Sequence, residues 1–152
     1  MAMNPHRPEV LYQQNHCGVY RSDDAAATWK DISSGLPSRF GFPIAAHPHE
    51  PGTLYVVPEV SAECRFVPRG QLAVWRSRNG GRTWQKLARG LPQRQAYVAV
   101  LRDASATDSC DEPGVYIGTT GGAIFYSRNS GDSWELLHAH LPAVLSLEAC
   151  VV

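Results

Sequence analysis

The sequence predicts an all-β chain built from about three repeats of a four-stranded antiparallel sheet. Three observations predict it. A tryptophan-anchored motif recurs three times without gaps. Short β-branched or aromatic runs alternate with turn residues, and no stretch keeps a helical apolar period of useful length. The 152 residues include 13 Gly and 11 Pro, a turn-rich count that suits short strands.

The repeat fixes the elements in order. Its copies are Val19-Tyr-Arg-Ser-Asp-Asp-Ala-Ala-Ala-Thr-Trp29, Val74-Trp-Arg-Ser-Arg-Asn-Gly-Gly-Arg-Thr-Trp84 and Ile124-Phe-Tyr-Ser-Arg-Asn-Ser-Gly-Asp-Ser-Trp134. A Leu-Pro pair follows each tryptophan (Leu36-Pro37, Leu91-Pro92, Leu141-Pro142), and the tryptophans are 55 and 50 residues apart. A second block precedes each motif, as Val10-Leu-Tyr-Gln13, Thr53-Leu-Tyr-Val56 and Gly114-Val-Tyr-Ile117. Four strands per unit follow. In the middle unit they are A near Phe42–Ala46, B at Leu54–Val57, C at Leu72–Arg76 and D at Trp84–Leu87. Four-stranded units of this size are the signature of β-propeller blades.

Ser-x-Asp-x-Gly-x-Thr-Trp resembles the Asp-box, or bacterial neuraminidase repeat. The chain is similar to the Asp-box β-propellers: sialidases, xyloglucanases, sortilin-type receptors and the photosystem II assembly-factor propeller. The resemblance implies that the motif is a C–D hairpin with a structural role. Those positions are Ser22, Asp24, Thr28 and Trp29; Ser77, Asn79, Gly81, Thr83 and Trp84; and Ser127, Asn129, Gly131, Ser133 and Trp134. An Asp or Asn there accepts backbone N–H bonds, and Gly takes positive φ without a Cβ clash. The first copy has Ala26 where Gly is expected, a cost of about 1 kcal/mol if that position is left-handed.

The units are expected at about 4–37, with strands B to D only, 42–92 and 96–142, and residues 143–152 as an orphan inner strand. That makes about three blades, an incomplete propeller, because closed rings need roughly four to eight. Two accounts fit. Either further N-terminal blades belong to a longer propeller, or two copies close a ring by exchanging the orphan strand.

Composition excludes several classes. Lys plus Arg is 14 and Asp plus Glu is 14, so no basic excess points to nucleic acid or an anionic membrane. No apolar run is long enough for a membrane span, and MAMNPHRPEV lacks the apolar core of a signal peptide. Cys17, Cys64, Cys110 and Cys150 form no CxxC pair, and cytoplasmic residence with reduced thiols is the expectation. The histidine pairs at 47/49 and 138/140 lack a third ligand of diagnostic spacing. No cofactor or metal is expected.

Blade topology puts the A–B and C–D turns on one face and the D–A and B–C loops on the other. The resemblance implies that ligands bind on the second face. There the interval from Leu54 to Val74 is 20 residues, against 9 from Val115 to Ile124. This insert is a binding-loop candidate. The candidate ligand-binding residues are Arg39, Arg65, Phe66, Arg69 and Arg94, because planar guanidinium groups suit carboxylates and Phe66 supplies an apolar wall. Glu59 and Glu63 are the candidate catalytic carboxylates, since glycosidases need a pair. The sialidase Phe-Arg-Ile-Pro signature is absent; Arg65-Phe66-Val67-Pro68 differs from it. The leading expectation is a scaffold that binds a protein, glycan or other ligand. The alternative is a sialidase-like glycoside hydrolase fragment with catalytic residues mostly in further N-terminal blades.

Overall fold

The computed structural model describes residues 1–151. Three antiparallel four-stranded sheets follow one another along the chain, each in sequential strand order. The first holds β1 (Ala2–Asn4), β2 (Arg7–Asn15), β3 (Gly18–Ser22) and β4 (Lys30–Asp31). The second holds β5 (Gly41–Ala46), β6 (Leu54–Pro58), β7 (Val74–Ser77) and β8 (Gln85–Leu87). The third holds β9 (Ser105–Thr107), β10 (Val115–Gly118), β11 (Ile124–Ser127) and β12 (Glu135–His138). A single 3-10 turn, Pro68–Gly70, completes the regular structure of the described residues.

The sequence repeat is also a repeat of register. Each second strand pairs its tyrosine with the residue just before the motif serine: Tyr12 with Arg21, Tyr55 with Arg76, Tyr116 with Tyr126. In β2, residues 10, 12 and 14 are buried while their neighbours are less so, the period-2 pattern of a strand with one covered face. Strand β6 is buried throughout because a sheet lies on each side of it.

The sheets pack face to face through two seams. The seam between the first and second sheets is built on Val10, Tyr12 and Leu54, with Ile32, Ile44 and Trp84 against them. The seam between the second and third is larger and includes Tyr55, Val57, Val74, Val115, Ile117, Phe125 and Trp134. The innermost strands β1, β5 and β9 are neighbours, as in blades around an axis.

Two features differ from the sequence reading. The first sheet has its inner strand: Ala2 and Met3 pair with Tyr12 and Leu11 across an irregularity at Asn4. Three residues carry no readable alternation, so the strand has no sequence signal. Residues 143–151 form no strand. A parallel bridge runs from Ser146 to Asp103, with Leu147 N donating to the Asp103 carbonyl at 2.8 Å, and Val144 packs against Gly118 at the end of β10. The apolar alternation is present, but no long free strand edge lies beside it.

Candidate functional site

The two faces differ in construction. On the hairpin face, Ser22 Oγ accepts from Ala26 N at 2.9 Å, Ser77 Oγ from Gly81 N at 2.8 Å and Ser127 Oγ from Gly131 N at 2.8 Å. The next polar residue closes each turn. Asp24 accepts from Thr28 N and Oγ1, Asn79 from Thr83 N, and Asn129 from Ser133 N. In the asparagine copies the amide nitrogen donates back, to Thr83 Oγ1 and Ser133 Oγ, each at 2.9 Å. The Thr28 and Ser22 bonds hold the Asp24 carboxyl at about 2. Ala26, Gly81 and Gly131 all have left-handed φ, at 72°, 89° and 91°. Every acceptor is committed to its own turn, which leaves these residues no free chemistry.

Two of the three motif tryptophans lie between neighbouring sheets. Trp84 Nε1 donates to the Ile32 carbonyl at 2.8 Å. Trp134 is 3% exposed; its backbone N donates to the Arg89 carbonyl, while its buried indole nitrogen has no hydrogen-bond partner. Trp29 is half-buried and has no sheet before it. Buried Arg76 crosses the second seam, donating to Ser130 O at 2.6 Å and pairing with Asp132 at 2.8 Å.

The loop face carries the candidate site. The long loop from Glu59 to Ala73 is stitched to both of its neighbours. Glu59 N donates to Phe40 O, Ser38 Oγ to Val60 O, and Val67 N to Val98 O. Ala96 N donates to Gly70 O, and Leu72 N to Pro92 O. These bonds span three connections, so the insert is a packed part of the face.

The loop brings together a cluster of ring and guanidinium groups. His16 stacks on Phe40 with centroids 4.9 Å apart and meets the edge of Phe42 at 5.3 Å. Phe40 and Phe42 meet edge to face at 5.2 Å. Arg65 Cζ lies 5.5 Å from the Phe42 ring centroid, within cation–π range. His16 and Arg65 are exposed, and the two phenylalanines beneath them are buried. A second aromatic pair, Phe66 edge-on to Tyr97 at 5.4 Å, stands beside it, with Tyr97 67% exposed.

The predicted residues separate. Arg39 donates through Nε to the Cys17 carbonyl at 2.9 Å and pairs with Asp31, whose carboxyl Ser33 and Arg39 hold at about 2. Arg65 sits on Phe42. Arg69, at φ 59°, borders a cleft of about 330 Å³ with Pro37, Pro58, Trp75 and Lys86. Arg94 is exposed on the turn before Ala96. The arginines therefore serve different parts of the face. Sequence reasoning missed His16, Phe40 and Phe42 as a group. Their signal was topological, because the loops that carry them lie on one face.

The two glutamates occupy opposite environments. Glu63 is exposed, accepts from Ser61 Oγ at 2.7 Å and is held below the usual carboxylate range by that bond. Glu59 is 0% exposed, and neither carboxyl oxygen has a hydrogen-bond partner. Burial pushes its carboxyl up to about 7; the Val100 backbone and the Arg65 charge oppose that push without reaching bonding geometry. Sealed beneath the loop, Glu59 has no surface on which to meet a substrate.

No group of three or more His, Cys, Asp or Glu side chains among the described residues could hold a metal ion. No helix among them is long and apolar enough to cross a membrane.

No family model and no curated protein matches the chain. Solved structures do. The GH74 xyloglucanase from Xanthomonas campestris superposes with a TM-score of 0.60 at 17% identity, over 89% of this chain and 21% of that one. An ancestral GH74 enzyme gives 0.61 at 17% identity, over 89% and 17%. YCF48 bound to D1 peptide gives 0.53 at 16% identity, over 90% and 39%. At these identities the likeness is one of fold: three blades of an incomplete β-propeller. The chain spans about a fifth of the length of the two GH74 enzymes.

Proposed function

We propose that the chain is a segment of an Asp-box β-propeller that works as a protein-binding scaffold on its loop face. One observation carries this reading. The accessible chemistry of the face is His16 and Arg65 over buried Phe40 and Phe42, next to the Phe66–Tyr97 pair, with no accessible pair of carboxylates beside it. Exposed aromatic and arginine side chains on a packed base are what interfaces use as anchors. The peptide carried by YCF48 is a precedent for peptide binding on a propeller of related fold. The four free, exposed cysteines suit a reducing compartment, and we place the protein in the cytoplasm on that ground.

A glycoside hydrolase is the second reading. The GH74 likeness and the raised Glu59 carboxyl, in the range of a general acid, favour it. It requires the loop to lift from Glu59 and a second carboxylate to come from further blades.

The test sets binding against turnover. An array of synthetic peptides is probed with the protein and with Arg65→Ala. Xyloglucan oligosaccharides and sialyllactose are offered as substrates in parallel. Peptide binding weakened roughly tenfold by Arg65→Ala, without hydrolysis, is the expected result. Hydrolysis abolished by Glu59→Gln overturns it.

A further inference from the structure

The face that the second sheet turns toward the first is covered at one end and open at the other. Leu54 is fully buried in the seam with Val10 and Tyr12. Two residues further along β6, Val56, Trp75 and Lys86 stand in one row across β6, β7 and β8, on the same side as Leu54. Trp75 is only half-buried and Lys86 is exposed. Here a cleft of about 330 Å³ opens between the sheet, the long loop and the connection that carries Pro37. Its buried lining is Pro58, Val67 and Ala73, and its exposed lining includes Arg69 and Lys86.

The charges of this cleft are unbalanced. Among the described residues Arg69 joins no ion pair, and no carboxylate lines the cleft. Lys86 Nζ meets the neutral amide oxygen of Gln71 at 3.3 Å. Arg7, Arg21, Arg39 and Arg76, by contrast, each hold an Asp or Glu. The turn that presents Arg69 is fixed from both sides. Gly70 N donates to Val67 O, Gln71 N to Pro68 O and Ala96 N to Gly70 O. Arg69 keeps its side chain there at φ 59° and ψ 16°, a left-handed backbone that costs any residue with a Cβ.

We propose that this cleft binds a small carboxylic acid carried on an aromatic body. The guanidinium of Arg69 and the ammonium of Lys86 take the carboxylate at the exposed edge, and the ring packs on Trp75 and Pro58. A buried apolar lining with a few polar groups at its edge is the usual anatomy of a small-molecule site. The volume lies at the lower end of the range of about 300–1,000 Å³ for such sites, which suits one ring with a short acid arm. A sugar would turn hydroxyls onto Pro58, Val67 and Ala73 and leave them unpaired. None of the lining residues belongs to the His16–Phe40–Phe42–Arg65 cluster, so the site does not depend on that cluster's binding a protein.

Isothermal titration of the full chain with 3-phenylpropionate tests it. Saturable binding at one site is expected, with a dissociation constant on the order of 1 mM or tighter. The neutral 3-phenylpropanamide and the ringless acetate should each bind roughly tenfold more weakly. Arg69→Gly suits the left-handed turn, so it should hold or raise the urea midpoint while weakening the acid roughly tenfold. Lys86→Gln, at an exposed strand position, should weaken it roughly threefold, which checks the charge at a second place. No saturation up to about 20 mM acid overturns the proposal. So does equal affinity for the amide, or affinity retained in both variants. Acetate binding as well as the aromatic acid overturns it in favour of an adventitious ion only, and tighter binding of glucuronate overturns it in favour of a sugar.

Discussion

The hairpin face and the loop face come from the same three sheets and obey different rules. On the hairpin face the chain repeats itself: three turns, the same serine-to-amide bond, the same left-handed position and a side-chain acceptor two residues after the serine. On the loop face the corresponding connections have unrelated lengths and contents, and the contacts there are individual ones, such as Arg65 on Phe42. The difference teaches where the chain invests in architecture and where it has freedom. A turn whose every acceptor is satisfied locally can be copied. A face built from loops that hold one another can be specialised without disturbing the sheets.

The tryptophans offer the largest test of that contrast. If the hairpins hold sheet to sheet, their cost on truncation should follow the neighbour each one meets and not the motif they share. Trp134 is nearly sealed in the second seam, and Trp134→Ala should cost about 3–5 kcal/mol in urea unfolding. Trp29 meets no sheet, so Trp29→Ala should cost far less in dilute protein. Equal losses would mean that the tryptophan stabilises its own turn and does not fasten blades.

Gly81→Ala comes next. It places a Cβ at φ 89° and within 2.3–2.9 Å of three atoms of Ile32, not only its tip. A loss of about 2–3 kcal/mol is expected from strain and overpacking together. A calorimetric scan reads it, and a neutral result would show that the first seam is loose.

The loop face answers to pH in a way the hairpin face does not. The folded-state carboxyl of Glu59 lies at about 7, above the ordinary 4.5, because burial disfavours its charge. The unfolded chain therefore releases this proton first. The Glu59 contribution is fully present below pH 4.5, declines as pH rises towards about 7 and is gone above it. Wild-type stability should fall by about 3 kcal/mol across that window relative to Glu59→Gln, followed by denaturant titration at several pH values. Parallel curves for the two proteins would place Glu59 in water.

Much of this was legible because repetition amplifies weak signals. One Ser-x-Asn-x-Gly hairpin says little, whereas three in register fixed strands β5 to β8 within a residue or two. Where the chain does not repeat, the sequence was silent or misleading. β1 is too short to show a period, and residues 143–151 have a strand-like pattern without an edge to pair with. At the site, composition marked the arginines, but their partners are set by loops meeting in space. Arg39 spends its guanidinium on Asp31 and Cys17, and Glu59, read as a loop carboxylate, lies beneath the loop. The His16–Phe40–Phe42 cluster joins residues from two connections and from β5, a relation that no local pattern encodes.

The smallest effect isolates the hairpin from its neighbours. Ala26 adopts φ 72° where the other two copies place glycine, and among the described residues no preceding sheet packs on it. Gly81 and Gly131 combine two demands, a left-handed backbone and room for Ile32 or Leu87 packed against them; Ala26 faces only the first. Ala26→Gly relieves the clash of a Cβ in the left-handed region but adds backbone freedom to the unfolded chain. The net gain should be about 0.5–1 kcal/mol, read by urea unfolding. A loss would show that the first turn is held in place by something other than its φ.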